Sequence, residues 1–586
     1  MNNNAAIQNI SQKPWVNIAI PEGYSISMDG VNRQQRTDDW QMLSGPVWVT
    51  AFTRDQREYN KLWGVVINWI DRDNDLQSKA FPIRRLNDLS VTLAQELSSH
   101  GLLVVPGREK ALIEYLGSFV TDERIKSVSK LGWMDEHTKH PTYVLPNQII
   151  TLSNPEKVIF QPEQNSSSII TIHSKGNLDQ WKSFVADQCR GNDLLIFSLC
   201  VGFASPLQFF ANAENSGFHL YGETSQGKTT ALQVAATIFG SGADPGASSA
   251  SYIHRWNSTS NALEGLAAAH NDGLLALDEM GSCGAKDFGT VVYDLMGGQE
   301  KKRLTKEAAH RDHRTWRMIC LSTGEISVLQ RIEENKTAMG GQLNRFLDIP
   351  INQGVITNTH GMQPHEFVNE LKHNCSMFYG TAGPEFIKRV ISLKADSSAL
   401  FHYIKSESDT WTEYLGKNIN TTPAQRRAIQ RLALVLVAGL ISVKTGVTSF
   451  TENEIISSIE SVLDAWRRDS SNIPDTKRGI NSLRGFILKH STRFRDADSK
   501  NNNGITVHSL VGYYDKARGL YLLTDEGFKE AVEGFNLRGV LSELNKMKLL
   551  FKNNGAHNKS LHSIDGIGKR IGLFAIKKSI VEHDGS

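Results

Sequence analysis

Between residues 46 and 84, apolar residues come in short runs or alternate with polar ones. PVWVTAFT (46–53), KLWGVVINWI (61–70) and KAFPIR (79–84) predict successive strands, with Trp48, Trp63 and Trp69 in their core. LSVTLAQELSSHG (89–101) reads as a helix closed by Gly101. These elements make a module over residues 15–160, preceded by a polar tail (1–14). Residues 161–177 carry a Ser cluster without helical period and read as a linker. Helices are expected near 178–190 and 193–204. The second opens the most apolar run, Leu194 to Ala213, which contains Ser198, Ser205, Pro206 and Gln208 and reads as a buried helical hairpin rather than a membrane span.

From 216 onward, apolar strands are interleaved with helices, which predicts an α/β domain. Phe218, Leu220 and Tyr221 form a strand, and a helix follows with Ala231, Leu232, Val234 and Ala235 on its apolar face. Residues 254–273 predict another helix, capped by Ser258 or Ser260. LLALDEMG (274–281) and MICLSTGE (318–325) read as buried strands, and PAQRRAIQRLALVLVAGLIS (423–442) as a strong helix. The stretch 467–479 is a domain boundary. Beyond it come a helix (479–490), a hairpin (510–523), two short helices (526–550), a Gly/Asn/Lys-rich loop and a strand (571–577), an order that suits a winged helix.

Between the 218–221 strand and its helix lies Gly222-Glu223-Thr224-Ser225-Gln226-Gly227-Lys228-Thr229-Thr230. This is the G-x-x-x-x-G-K-[ST] phosphate loop in its strand–loop–helix context. The glycines let successive N–H groups point at phosphate oxygens, and the helix N-terminus adds its positive dipole end. Lys228 suits the β- and γ-phosphates of ATP, and the Thr229 hydroxyl suits Mg²⁺. The strand ending in Asp278-Glu279 is the expected partner. Asp278 holds Mg²⁺, usually through water, and Glu279 orients the attacking water. At the end of the 318–325 strand, Ser322 or Thr323 would sense the γ-phosphate, with Glu325 holding the network. Arg345 suits an arginine finger reaching a neighbouring subunit's nucleotide. Arg426, Arg427 or Arg431 would contact phosphate from a helical lid, or else be solvated helix charges.

Composition is that of an ordinary globular protein, with 40% hydrophobic and 22% charged residues and a net charge of +2. A nucleic-acid surface must therefore be local. Two segments supply candidates. Residues 300–317 hold seven Lys/Arg against three acids and read as a hairpin, KKRLT up and RTWRM back, whose Lys301, Lys302, Arg303, Lys306, Arg311 and Arg314 contact DNA phosphates. Residues 471–586 hold 19 Lys/Arg against 12 Asp/Glu, a balance that suits duplex DNA or, on the blander reading, a protein partner. Five scattered cysteines without a C-x-x-C pair point away from a zinc ribbon or disulfide framework. They point to a reducing, cytoplasmic setting with no membrane.

WGVVINW, SGFHLYGETSQGKTTAL, WNSTSNALE, NDGLLALDEMG, VVYDLMGGQEKKRL, TWRMICLSTGEISV and GGQLNRFLDIP together resemble the bacterial and prophage family catalogued as domain of unknown function 927. Its core is similar to the AAA+ ATPases of minichromosome-maintenance helicases. The resemblance, carried by residues 45–440, implies an AAA+ core (178–352) and a helical lid region (353–467); the basic winged-helix-like C-terminal domain (468–586) rests on its own order of elements. The resemblance also implies a homo-oligomeric ring, a hexamer, that hydrolyses ATP with Mg²⁺ and moves along single-stranded DNA. The sensor strand departs from that pattern, ending in Ser-Thr-Gly-Glu where those helicases carry asparagine. No cysteine-based zinc site marks the N-terminal module. Two rivals remain: an AAA+ ATPase that remodels or loads proteins, and a nucleotide-controlled DNA-binding initiator.

Overall fold

A computed structural model describes residues 14–582 apart from 56–61, 88–90, 135–140, 153–157, 163–170, 247–250, 302–313, 334–344, 395, 418–422, 470–474, 499–508, 553–557, 566 and 568. At its centre is an all-parallel five-stranded sheet in the order His254–Arg255, Gly273–Asp278, Met318–Gly324, Ser216–Tyr221, Phe346–Pro350. The three middle strands are buried almost throughout, as a parallel sheet covered on both faces requires. Their carboxyl ends therefore point to one side, where Gly222, Asp278 and Gly324 come together. In such a sheet that is where ligands bind, beside the strand at which the chain order reverses.

Behind the sheet runs the helix Asp193–Ala211, with 16 of its 19 residues buried. It is the one described helix long and apolar enough to cross a membrane, at mean hydropathy 1.9, yet 89% of that window is enclosed by the rest of the chain. It is continuous, where the sequence suggested a break near 204. Pro206 cannot donate to the Gly202 carbonyl, and the Ser205 hydroxyl donates to it instead at 2.8 Å. The helix expected at 178–190 is instead an α-turn (Leu178–Trp181), a π-turn (Lys182–Ala186) and a 3₁₀ turn (Asp187–Cys189). The helix expected at 254–273 begins later. His254–Arg255 is the edge strand, and Thr259, rather than Ser258 or Ser260, caps Ser260–Ala269 by accepting from the Ala262 N–H.

The N-terminal module pairs a three-stranded sheet (Tyr24–Ser27, Gly30–Gln34, Trp40–Ser44) with a five-stranded one. The latter runs in the order Val158–Phe160, Arg124–Val128, Val47–Asp55, Trp63–Ile70, Leu76–Pro82. Helices Thr92–Ser99 and Glu109–Gly117 complete its core. Trp48 and Trp69 are buried at 2% and 3%, but Trp63 is 39% exposed, contrary to the expected core position. It stands at the first residue of its strand, whose other residues are all buried.

This module is pinned to the central sheet through Asp272, whose side chain is 1% exposed. One Asp272 oxygen accepts from the Trp133 N–H, and the other accepts from Arg317 Nε at 2.5 Å. Its carbonyl accepts from the Tyr143 hydroxyl. Alongside, Lys130 Nζ donates to Thr315 Oγ1 at 3.1 Å. Five helices, from Pro364–Met377 to Glu452–Arg468, follow the central sheet. The C-terminal part holds a helix (Asp475–Lys489), a sheet containing Gly512–Asp515, Leu520–Leu523 and Ile571–Lys577, and two helices between them (Asp525–Ala531, Leu537–Lys546), in the expected order.

Candidate functional site

The turn after Tyr221 closes tightly because three residues take positive φ: Gly222 (158°), Ser225 (64°) and Gly227 (87°). A Cβ at Gly227 would press on Val355 at 3.2 Å while its φ stays in the left-handed region. Gly227 ends the turn and the helix Lys228–Ala236 begins with no side-chain cap, so its first N–H groups face the turn. Lys228 Nζ donates to the Gly222 and Glu223 carbonyls at 2.8 and 2.5 Å. Burial lowers the Lys228 pKa, against the pull of Glu325 and Asp278.

Asp278 ends its strand opposite this helix. Thr229 Oγ1 stands 3.4 Å from each Asp278 oxygen. Thr323 Oγ1 donates to Asp278 Oδ1 at 2.5 Å and accepts from the Glu279 N–H at 3.3 Å. Glu279 itself is held at φ 58° and ψ 67°. A non-glycine residue holds that conformation at a cost on the order of 1 kcal/mol, and such strain clusters at functional sites.

Ser322 and Thr323, alternatives in the sequence, face opposite ways. The Ser322 hydroxyl accepts from Trp256 Nε1–H at 2.8 Å and donates to His219 Nδ1 at 3.0 Å. His219 Nε2–H in turn donates to the Ile326 carbonyl at 3.0 Å. Burial holds this imidazole neutral, down to about 4. Ser322 therefore belongs to the sheet's interior, and Thr323 to the cluster with Asp278.

Beside the turn lies a cleft of about 300 Å³, lined by Asp193, Leu194, Asn352, Gln353, Val355 and Asp464 among others. Its wall is fixed to the turn by the Val355 N–H, which donates to the Gln226 carbonyl at 2.8 Å. No local pattern marks it, because its lining comes from three distant segments.

Arg345 sits at the other end of the sheet. Its carbonyl accepts from the Gly217 N–H. Gly217 precedes Gly222 by five strand residues, about 16 Å at 3.3 Å each. That is beyond the reach of an arginine to a group on its own turn. The guanidinium packs over the Tyr293 ring at 5.1 Å, and its buried Nη1 has no hydrogen-bond partner among the described residues. Arg431 lies near it. Burial pulls the Arg431 guanidinium down to about 10; Glu214 opposes the shift, and Arg427 and Arg345 add to it. Arg426 is exposed and pairs with Glu413 at 3.0 Å. Arg431, beside Arg345, thus lies far from its own turn rather than making the lid contact, and the exposed Arg426 fits the other expectation, a solvated helix charge.

The basic segment leaves the sheet at this same edge. Gln299 bridges Thr315 antiparallel, and the Glu300 N–H donates to the Arg314 carbonyl, so its two ends pair as a hairpin's would. Lys301 pairs with Asp294 at 2.5 Å. Lys302, Arg303, Lys306 and Arg311 lie outside the described residues.

A solved structure described as "SCCmec type IV Cch - active helicase" superposes with a TM-score of 0.69 at 16% identity, covering 96% of this chain and 99% of that one. The two share a fold over nearly their whole lengths. "The A form apo structure of NrS-1 C terminal region-CTR" is matched over 70% of this chain and 92% of that one at 10% identity, but its TM-score of 0.27 is too low to compare folds. No curated protein matches. A family model matches residues 23–315, half of the sequence, and the chain belongs to the family it describes, the domain of unknown function 927.

Proposed function

We propose that the chain is an AAA+ ATP hydrolase, a cytoplasmic DNA helicase or translocase of a prophage or other mobile element that works as a homo-hexameric ring. The observation that carries this reading is a division of labour between the two ends of one sheet. Lys228, Thr229, Asp278, Glu279 and Thr323 gather at the carboxyl ends of the strands, while Arg345, Arg427 and Arg431 gather about 16 Å away. A site so split is completed when a second copy brings its arginine edge to the turn. The nearby fold described as an active helicase supports the same reading.

The phosphates lie against the N–H groups of residues 222–229, and Lys228 exchanges the Gly222 and Glu223 carbonyls for phosphate oxygens. The base and ribose take the neighbouring cleft. A hydroxyl and a carboxylate within 3.4 Å form the kind of hard-oxygen donor pair that Mg²⁺ accepts alongside phosphates and waters, so Thr229 and Asp278 would hold it. When bound, Mg²⁺ supplies charge neutralisation at the β- and γ-oxygens. Thr323 fixes Asp278 and the Glu279 backbone together. Glu279 orients the attacking water, and the neighbour's Arg345 meets the charge building on the γ-phosphate.

DNA contacts fall to the 301–314 hairpin, and duplex contacts to the winged-helix-like C-terminal part (468–586). The test is the ATPase rate with and without single-stranded DNA at one salt concentration, wild type against Lys302→Ala/Arg303→Ala/Lys306→Ala. Severalfold stimulation that the variant loses, with basal turnover kept, is expected. A rate indifferent to DNA would sink the translocase and favour protein remodelling.

A further inference from the structure

The exposed Trp63 belongs to a row. In the N-terminal sheet Arg54 is registered with Trp63 on one side and Lys126 on the other, and Phe52 with Val65 and Arg124. Residues in register share a face, so Lys126, Arg54 and Trp63 stand in line across three strands, with Arg124 and Phe52 one step behind. The Arg124 guanidinium lies over the Phe52 ring at 5.4 Å and the Trp63 ring at 5.7 Å. Trp63, Arg54 and Arg124 are exposed. The adjoining acid, Asp55, faces the other side of the sheet and is 6% exposed.

This face is also continuous with the hairpin's base. Two residues beyond the strand Arg124–Val128, Lys130 donates to Thr315, and Thr315 pairs with Gln299 where the basic segment leaves the sheet. Lys126 is four residues from Lys130, at most about 14 Å.

We infer that this face of the N-terminal sheet is a second single-stranded DNA contact, with Trp63 as a base-stacking platform and Arg54, Arg124 and Lys126 as phosphate contacts. The inference rests on the translocase reading and adds to it a site outside the ATPase core. An aromatic ring flanked by cations matches the two things a single strand offers at every step, a base face and a phosphate. Sequence-independent grip is what a translocating ring requires. The strand entering or leaving the hairpins would be held along the line from Thr315 to Trp63.

The test uses the full-length protein and a fluorescently labelled oligothymidine, with binding followed by anisotropy across a salt series. Trp63→Ala is expected to weaken binding by about 5-fold or more, the effect of losing one stacked base. Trp63→Phe should restore most of it. Arg54→Ala/Arg124→Ala should lower the salt slope by about 1.4, two single-strand phosphate contacts at about 0.7 each. Basal ATPase should stay at the wild-type rate in all three, since none lies at the nucleotide end of the sheet. Arg54→Glu, a charge reversal at an exposed position, tests the same face without touching the ring packing and should weaken binding further.

Affinity and salt slope unchanged in the Trp63→Ala and arginine variants, with the hairpin variant impaired, would overturn this inference alone. A wild type that does not bind oligothymidine would overturn it together with the translocase reading. Loss of poly-glutamate binding with oligothymidine binding intact would assign the face to an acidic protein partner instead.

Discussion

Thr323→Val isolates a single hydroxyl. Thr323 is 1% exposed, and valine fills nearly the same volume, so packing is retained while two bonds vanish. One of them is the 2.5 Å donation to Asp278 and the other is the acceptance from the Glu279 N–H. A hydrogen bond to a charged group contributes about 1.5–3 kcal/mol. If that bond holds Asp278 and Glu279 in their reacting positions, its loss raises the barrier by that much, about 10- to 150-fold in kcat. Ser322→Ala is the matched control one residue away. It leaves Trp256 Nε1–H and His219 Nδ1 buried without their partner, at about 1–3 kcal/mol each. That loss falls on folding, so the melting transition should drop by about 5–10 °C while kcat stays within about threefold. Steady-state ATPase kinetics and thermal melts on both variants decide it. A Thr323→Val enzyme with wild-type kcat, or a Ser322→Ala enzyme that loses more kcat than Thr323→Val, refutes the assignment of Thr323 to the reacting cluster.

Mixing Arg345→Ala protomers with Lys228→Ala protomers should restore part of the ATPase that each lacks alone, because intact turns then meet intact arginines across some interfaces. Continued inactivity in every ratio would place Arg345 outside the reaction. His219 and His270 are buried and His254 is half-buried, and desolvation holds all three neutral, at about 4, 4 and 3. The unfolded chain takes up protons at these positions below about pH 6.5 while the folded chain does not. Their contribution is thus complete above pH 6.5 and falls as pH drops toward 4, by about 2 kcal/mol per histidine at pH 5. Melts at pH 7 and 5 should show the fall, and His219→Gln should flatten part of it. Gly227→Ala should weaken nucleotide binding at least tenfold by calorimetry, since alanine is strained at φ 87° and its Cβ meets Val355. The five cysteines are buried, and native protein should leave a thiol reagent unreacted until unfolded.

The turn at 222–229 and the acids at 278–279 were legible because their chemistry requires particular residues side by side in sequence. Arg345 could be found by its place after a strand. Its neighbourhood could not, since Glu214, Arg427 and Arg431 reach it from segments that no local pattern connects. The cleft was hidden for the same reason. The apolar run identified the Trp63 strand, but its pattern cannot say that the first residue is left exposed while the rest are buried. The helix expected to end near 204 instead runs on through Pro206, because Ser205 makes the bond to the Gly202 carbonyl that Pro206 cannot. Choosing between Ser322 and Thr323 needed only the side of the strand each faces. That depends on which neighbour holds Asp278, a tertiary fact.

The Asp272 junction has a mechanical consequence. One buried carboxylate grips Arg317, where the returning arm of the basic hairpin becomes a sheet strand, and Trp133, where the N-terminal module meets the core. Lys130 and Thr315 repeat the tie a few ångströms along. A pull on the segment between Lys301 and Arg314 would therefore load two structures at once. Part of the force runs down the Met318–Gly324 strand to Thr323 and Asp278, and part runs across to the N-terminal sheet. A load at Arg317 would thus reach Thr323 and Asp278 along the one strand Met318–Gly324.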